Sequence, residues 1–419
     1  YNSMIYDYII VGTGISGINT AYKINKKYPN RKILLLDKNN YIGGRIHSIY
    51  LKDYGYKNNS DFKDIFYESG AIRFYPSHTN LINLLKEFDY TKKDFYIIGK
   101  DLKIDYKFKN IKNFKKSENY YYEKIFSISK KYDNEELNRL KFSIFLKKHF
   151  INEEIKYLKV INGFPHLLET NTRYAIELLK RDFYNIEDFY ILKDSLTNFL
   201  GKIVSKFNKN VKIMLNKEVI DYDFNENDKL FNIQINSNIK KLKTQNLIFS
   251  IPYLDIRKFK TLPKNLIETV IPIELNRMFA IFPKNNFWHN DINATYTDNH
   301  IQRIYLKGNR LIQIAYSSHK NANYWNKQYK NGELKKKLLG ELKNSFPDKK
   351  IEEPELLNMH YWEAGIHLWK NNTNSEMISK NILQPFDNQN LFLCNEAYSK
   401  NQRWMEGSLE MSNRLIKLL

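Results

Sequence analysis

The 419-residue chain is long enough for about two to three domains or one large two-lobed one, and its 42% hydrophobic and 15% aromatic content excludes a wholly disordered or low-complexity chain. A single cysteine, Cys394, excludes an internal disulfide framework and a cysteine-based zinc site, and no metal site is expected. The net charge of +21 raises an anionic partner, but the lysines are spread along a chain also rich in Asn, Ile and Tyr, so compositional drift is the reading and nucleic acid is not the expected partner.

No uninterrupted apolar run approaches the ~18 residues of a membrane span. Residues 1–5 are too few and too polar for a signal peptide ahead of a strand that starts near Tyr6. A soluble protein of the cytoplasm or another intracellular compartment is the simplest expectation.

Residues 6–11 form an apolar, β-branched stretch that reads as a buried parallel strand. Gly12-Thr13-Gly14-Ile15-Ser16-Gly17 follows, then a helix over 18–27 with Ile18, Ala21, Tyr22 and Ile24 at helical spacing. A second strand over 31–36 ends at Asp37, 20 residues after Gly17. Glycines placed between strand and helix, with an acid after the next strand, are the context a dinucleotide-binding unit requires. Gly12 serves the tight turn, Gly14 the approach of backbone to a pyrophosphate, and Gly17 the close packing of helix on strand. The helix start at Ile15 and Ser16 offers N–H groups to the phosphates. Asp37, followed by Lys38, is placed to accept ribose hydroxyls.

The chain holds only 15 glycines, where average usage would give roughly 29. Seven of the 15 fall in the first 70 residues. In a glycine-poor chain such clustering marks positions that tolerate no side chain. Gly43-Gly44-Arg45 begins six residues past Asp37, and Tyr67-Glu68-Ser69-Gly70-Ala71-Ile72-Arg73-Phe74 follows. Leu81, Ile82, Leu84, Leu85 and Phe88 have helical spacing. Residues 102–109 alternate apolar and charged, predicting a strand with one wet face. Residues 119–150 read as largely helical. Further on come Lys217-Glu218-Val219, then Asn246-Leu247-Ile248-Phe249-Ser250-Ile251-Pro252, strands over 278–282 and 309–316, and a helix over 331–346. The chain closes on Leu391-Phe392-Leu393-Cys394-Asn395-Glu396-Ala397 and Trp404-Met405-Glu406-Gly407-Ser408.

Taken together, these segments resemble, in order, the FAD-contacting frame of the flavin-containing amine oxidases, the monoamine, polyamine and L-amino-acid oxidases. The resemblance covers about a third of the chain. It implies an α/β fold: a Rossmann-like FAD-binding domain assembled from residues 1–78, 194–255 and 385–419, and a substrate-binding sheet domain with a helical insertion from 79–193 and 256–384. It implies that Gly43, Gly44 and Arg45 serve the diphosphate region, and that Gly70, Ala71, Ile72 and Arg73 pass the flavin ring. The Val219 backbone would meet the adenine, Glu396 the ribityl or phosphate region, and the Met405 backbone the pyrimidine edge. Asn395 stands where the family usually has glycine.

The family reaction moves a hydride from a carbon beside an amine to the flavin N5. Water hydrolyses the resulting imine, and O₂ is reduced to hydrogen peroxide. An arginine placed like Arg73 clamps a substrate carboxylate in the L-amino-acid oxidases, since a guanidinium fork matches a carboxylate. Pairing with a protein acid or a flavin phosphate is its other reading. Trp404 matches an aromatic wall beside the flavin, and the second wall falls near Gly365-Ile366-His367. His367 reads either as a pocket residue that takes the ammonium proton or as a structural histidine. Tyr316 reads as a carboxylate partner or as a core tyrosine. Counting back from Phe287-Trp288, Met278 occupies the position of a lysine that holds a water by the flavin in many relatives, and a shift of one residue places Arg277 there. Ile366 takes the position of the cysteine through which some monoamine oxidases hold FAD, so non-covalent FAD is expected.

The expected activity is oxidative deamination of an L-amino acid with O₂ as acceptor, with a polyamine or monoamine as the alternative substrate. A different class of reading is a catalytically weak flavoprotein that binds an anionic partner. A homodimer is compatible with either.

Overall fold

The computed structural model describes residues 5–54, 65–99, 102–109, 111, 116–161, 165–184, 187–236, 242–285, 288–307 and 310–419. Phe287 and Asn309, which anchor two of the sequence expectations, lie outside them. The chain divides into two compact units. Unit 1 comprises residues 1–98, 188–270 and 374–419, and unit 2 comprises 99–187 and 271–373.

Unit 1 is built on a mostly parallel sheet. Strand β1 (Ile5–Val11) leads into helix α1 (Ile15–Lys27) and strand β2 (Ile33–Leu36). β1 pairs in parallel with β2 on one side and with β3 (Leu242–Phe249) on the other. Val211–Met214 extends the sheet in parallel beyond β2, and Leu391–Leu393 lies parallel on β3. The antiparallel strands Leu230–Ile235 and Val219–Asn225 complete the sheet on the β3 side. All four residues of β2 are buried, because a parallel strand is covered on both faces; this is why it reads as an unbroken apolar run. Ile18, Ala21 and Ile24 turn the apolar stripe of α1 inward, each fully buried isoleucine contributing ~2 kcal/mol. The far side of α1 meets α2 (Met405–Leu418) through polar contacts, Asn19 Nδ2 donating to Ser412 Oγ at 2.8 Å. A small antiparallel sheet, Arg73–Phe74, Phe189–Leu192 and Phe95–Ile98, completes the unit.

Unit 2 is built on a six-stranded sheet. Its order is Leu356–Trp369, β4 (Val270–Ile281), β6 (Leu311–Ser318), β5 (Arg303–Leu306), Ala294–Thr297 and Ile104–Lys107. One face forms the core, where Met278, Ala280, Phe282, Ile304, Ile312 and Ile314 pack with Trp325, Leu338 and Leu342 of helices Lys320–Lys330 and Leu334–Ser345. A register shift opposite Met278 and Phe279 bulges β6 and lets both Ile314 and Ala315 face that core. Residues 118–182 supply the helices Glu118–Ser129, Asn134–Arg139, Phe142–His149, Asn152–Ile161 and Thr172–Asp182.

Two expectations need revision. In Ile104–Lys107 the apolar Tyr106 is exposed, because the strand is the edge of its sheet and the Tyr106 hydroxyl reaches out to Glu118. The unit borders also fall away from 78/79, 193/194, 255/256 and 384/385. Helix Thr79–Glu87 stays in unit 1 because its first turn is capped from α2, and Phe95–Ile98 stays because it pairs with Phe189–Leu192. Residues 375–381 belong to unit 1 because Arg414 of α2 donates to the Ser379 carbonyl at 2.8 Å.

Candidate cofactor and active site

The glycine turn of unit 1 is fixed by sterics. Gly12 has φ +106°, and a Cβ there would lie 2.9 Å from Ile251 Cγ2. A Cβ on Gly17 would run into the Gly12 carbonyl oxygen, so α1 can approach β1 only without one. Gly14 is the N-cap of α1, and no described side chain caps that helix end. The second glycine segment folds onto this turn: Gly14 and Gly43 form a parallel bridge, and Gly43 N donates to Thr13 O at 2.8 Å.

Asp37 closes the turn from the other side. Its Oδ2 accepts from Thr13 N at 2.8 Å and Thr13 Oγ1 at 2.7 Å, and its Oδ1 accepts from Asn39 N at 2.9 Å. A carboxylate offers about four acceptor sites, so this buried group holds the turn and keeps capacity for a ribose hydroxyl. Val219 stands at the start of its strand, and the neighbouring Lys217 N donates to Asp37 O at 2.7 Å. Lys38 is turned away from this role: its ammonium lies 2.8 Å from Asp255. Burial works against the Asp255 charge, but hydrogen bonds from Lys38 and Lys258 hold the carboxyl below its usual range.

Arg45 Nη1 meets the buried Glu396 Oε2 at 2.8 Å, tying the glycine-pair segment to the C-terminal one. Glu396 also accepts from Arg403 N at 2.6 Å. Beside it, Asn395 is 3% exposed. Its Oδ1 accepts from Ala397 N, while Nδ2 has no partner among the described residues. Ser16 of α1 donates to the carbonyl of Cys394, the residue before Asn395. A bare helix start, an orphaned amide donor and a buried carboxylate with spare acceptor capacity, all carried at the carboxyl ends of parallel strands, fit a dinucleotide diphosphate and its ribose.

Gly70 to Arg73 runs on from there, Ala71 N donating to Arg45 O at 3.0 Å, with Ile72 buried. The Arg73 guanidinium stacks over Phe189 at 4.6 Å. Trp404, at the N-cap of α2 just before the buried Met405, sits 5.1 Å from the Tyr75 ring and 4.9 Å from the His78 ring. Tyr75 and His78 were missed in the sequence. The available signal was an aromatic and a histidine directly after the Gly70–Arg73 segment. Glu406 was also missed; it accepts from Asn80 N and Leu81 N at 3.0 Å and so caps the helix Thr79–Glu87.

The remaining candidates stand in unit 2. Met278 is wholly buried in the hydrophobic core, on the face of β4 opposite to its neighbour. A core methionine of this kind cannot stand in for a solvent-holding lysine. The adjacent Arg277 points the other way, its guanidinium 4.5 Å from the Tyr316 ring across the β4–β6 pair. His367 is wholly buried in the strand Leu356–Trp369. Gly365 has a packing reason of its own, since a Cβ there would lie 2.6 Å from Leu275 Cγ. Among the described residues no cluster of His, Cys, Asp or Glu is suited to a metal, and no described helix is long and apolar enough to cross a membrane.

Residues 10–88 match the family of NAD(P)-binding Rossmann-like domains. An uncharacterised protein of Acanthamoeba polyphaga mimivirus is 36% identical over 76 residues, a stretch that spans 18% of this chain and 13% of that protein. Among solved structures, wild-type putrescine oxidase bound to putrescine superposes with a TM-score of 0.72 over 99% of both chains at 14% identity. A protein provisionally described as a protoporphyrinogen oxidase of Exiguobacterium sp. 255-15 gives 0.69 over 100% of this chain and 98% of that one at 10% identity. The two likenesses establish the fold: a mixed α/β architecture with a Rossmann-like dinucleotide-binding unit.

Proposed function

We propose that the chain is an FAD-dependent oxidase that acts on an amine. The observation that carries this reading is the seating of the second glycine segment on the first, through the Gly14–Gly43 bridge, with Arg45 linked onward to Glu396. A nicotinamide-type turn needs only the first glycine segment and its acid. Here three separated segments converge on one edge, which suits a longer flavin dinucleotide.

Unit 1 then serves as the cofactor domain and unit 2 as the substrate domain. Asp37 would hold the ribose, the start of α1 and the Asn395 amide the diphosphate, and Arg45 with Glu396 the ribityl side. When bound, the flavin would supply a hydride acceptor for the C–H bond next to nitrogen, with O₂ as the proposed final acceptor. Trp404, Tyr75 and His78 would give the substrate nitrogen an aromatic surface, and Arg73 would orient a carboxylate. The cofactor is held without a covalent bond: the thiol of Cys394 is buried and pushed up by that burial, with Ser16 and Thr20 against it.

The finer reading is a carboxylate-bearing amine of the L-amino-acid type. A polyamine is the second reading, favoured by the likeness to putrescine oxidase. Anaerobic mixing decides between them. Bleaching of the flavin band by amino acids, lost in Arg73→Ala, supports the first. Bleaching by putrescine or spermidine alone moves the protein to the second. A colourless protein, or a flavin that nothing reduces, sinks the oxidase reading.

A further inference from the structure

Unit 2 carries a cleft of about 250 Å³ between the helix Asn152–Ile161 and the loop that joins Ala294–Thr297 to β5. All of its described lining belongs to unit 2. The helix buries Ile155, Leu158 and Ile161 on one face and presents Lys156, Lys159 and Val160 on the other. The loop opposite is fixed by its own hydrogen bonds. Asn299 Oδ1 accepts from Thr297 Oγ1 at 2.7 Å and from Ile301 N at 3.1 Å, and Thr297 N donates to Gln302 O at 2.9 Å. Gln302 closes the loop at φ +59°, in the left-handed region that residues other than glycine seldom adopt.

Gln302 points to a ligand. It lines the cleft and is 6% exposed. Its Oε1 accepts from Ser318 N at 2.6 Å. A backbone N–H can be answered only by the oxygen of the amide, so this bond fixes which way the group is turned. The Nε2 donor is left on the other side, with no hydrogen-bond partner among the described residues. Three more donor groups line the same cleft without a partner among the described residues: the ammonium groups of Lys156 and Lys159, and the amide of Asn321. Asn321 stands in the first turn of the helix Lys320–Lys330, whose start no side chain caps and where the backbone carries partial positive charge. Against the two ammonium groups the lining holds one carboxylate, Asp298, and its Oδ2 already accepts from Lys109 N at 3.0 Å. Ile111, Val160 and Pro165 add an apolar wall. Donors in excess, positive charge in excess and an apolar wall together complement an oxyanion carried on an apolar body.

We propose that this cleft binds a small organic anion, a carboxylate or phosphate on an apolar body, with Lys156, Lys159, Gln302 and Asn321 as its donors. The site is separate from the residues assigned to the cofactor and stands whether or not the chain is an oxidase.

The test is calorimetric titration of the purified protein with benzoate, phenyl phosphate, inorganic phosphate and benzyl alcohol. Benzoate or phenyl phosphate is expected to bind, and the tighter of the two identifies the head group. Inorganic phosphate and benzyl alcohol, which supply the head or the body alone, are expected to bind at least about tenfold more weakly. Gln302→Glu keeps an acceptor for Ser318 N and replaces the free donor with a negative oxygen. It is expected to weaken the aryl anion about tenfold or more. The double variant Lys156→Met, Lys159→Met changes two exposed side chains and is expected to leave the thermal midpoint in place. It should weaken the aryl anion by a similar factor and flatten the dependence of binding on salt. The proposal is overturned if neither aryl anion binds, if benzyl alcohol binds as tightly, or if both variants keep the parent affinity. It also fails if binding is lost in Arg73→Ala and kept in Gln302→Glu, which would place the anion in unit 1. Heat of binding needs no flavin, so a colourless preparation, which would defeat the oxidase reading, still decides this one.

Discussion

The two units prepare their sites by different means. In unit 1 the recognition surface is backbone: glycines, the bare start of α1 and a strand-end aspartate, with side chains mostly removed from the path. In unit 2 it is side chains on one face of a sheet, among them Arg277 and Tyr316, that stand opposite the face packed into the core. Backbone recognition is intolerant of any added atom, because every position is fixed by close contact. Side-chain placement depends on register, and the bulge in β6 decides which residues face the core and which face away from it.

That contrast can be broken or sharpened by substitution. The largest expected effect is at Gly17, where valine would drive a side chain into the Gly12 carbonyl. The cost is about 3 kcal/mol in chemical denaturation, together with loss of bound flavin. A stable, yellow Gly17→Val protein would show that the turn is not fixed by sterics. Next is Arg45→Met, which leaves the buried Glu396 without its charged partner. A loss of about 2 kcal/mol is expected, with reduced flavin content after gel filtration. In unit 2, Met278→Leu should cost no more than ~1.5 kcal/mol, as a volume-conserving core exchange. Stopped-flow reoxidation of the reduced flavin by O₂ should be unchanged. A slowed reoxidation would return Met278 to the active site.

The smallest effect is acid sensitivity at the Lys38–Asp255 pair. The Asp255 carboxyl is depressed in the folded state, so its contribution is complete above its unfolded value of ~3.9 and fades as the pH falls below that. In Asp255→Asn, urea midpoints at neutral pH and at pH 3 should lie closer together than in the parent. The difference is expected to be under ~1 kcal/mol for so exposed a lysine partner.

These effects also mark what could be read from the chain itself. The strand–glycine–helix–strand–acid order of residues 6–37 was legible because each residue type there answers to one steric or hydrogen-bonding demand. Parallel strands were legible from their unbroken apolar runs, as in Ile33–Leu36. The edge strand Ile104–Lys107 showed its period but not its exposure, because alternation does not say whether a sheet continues on the far side. Met278 and Arg277 could not be ordered by counting from Phe287-Trp288, since a one-residue shift turns every side chain to the other face. Tyr75 and His78 were hidden for a related reason: their neighbour Trp404 lies hundreds of residues away in sequence, which no local pattern encodes.

The sheet of unit 1 has a consequence for synthesis. β1 emerges long before one of its two neighbours, β3, which begins only at residue 242, and the strand Leu391–Leu393 and helix α2 of the same unit come at residues 391–418. At about 5–20 residues per second on the ribosome, β1 waits tens of seconds for these partners. Its early segments are therefore exposed to chaperones and proteases in a way that the finished protein is not. Truncating residues 391–418 would leave that interval permanently open.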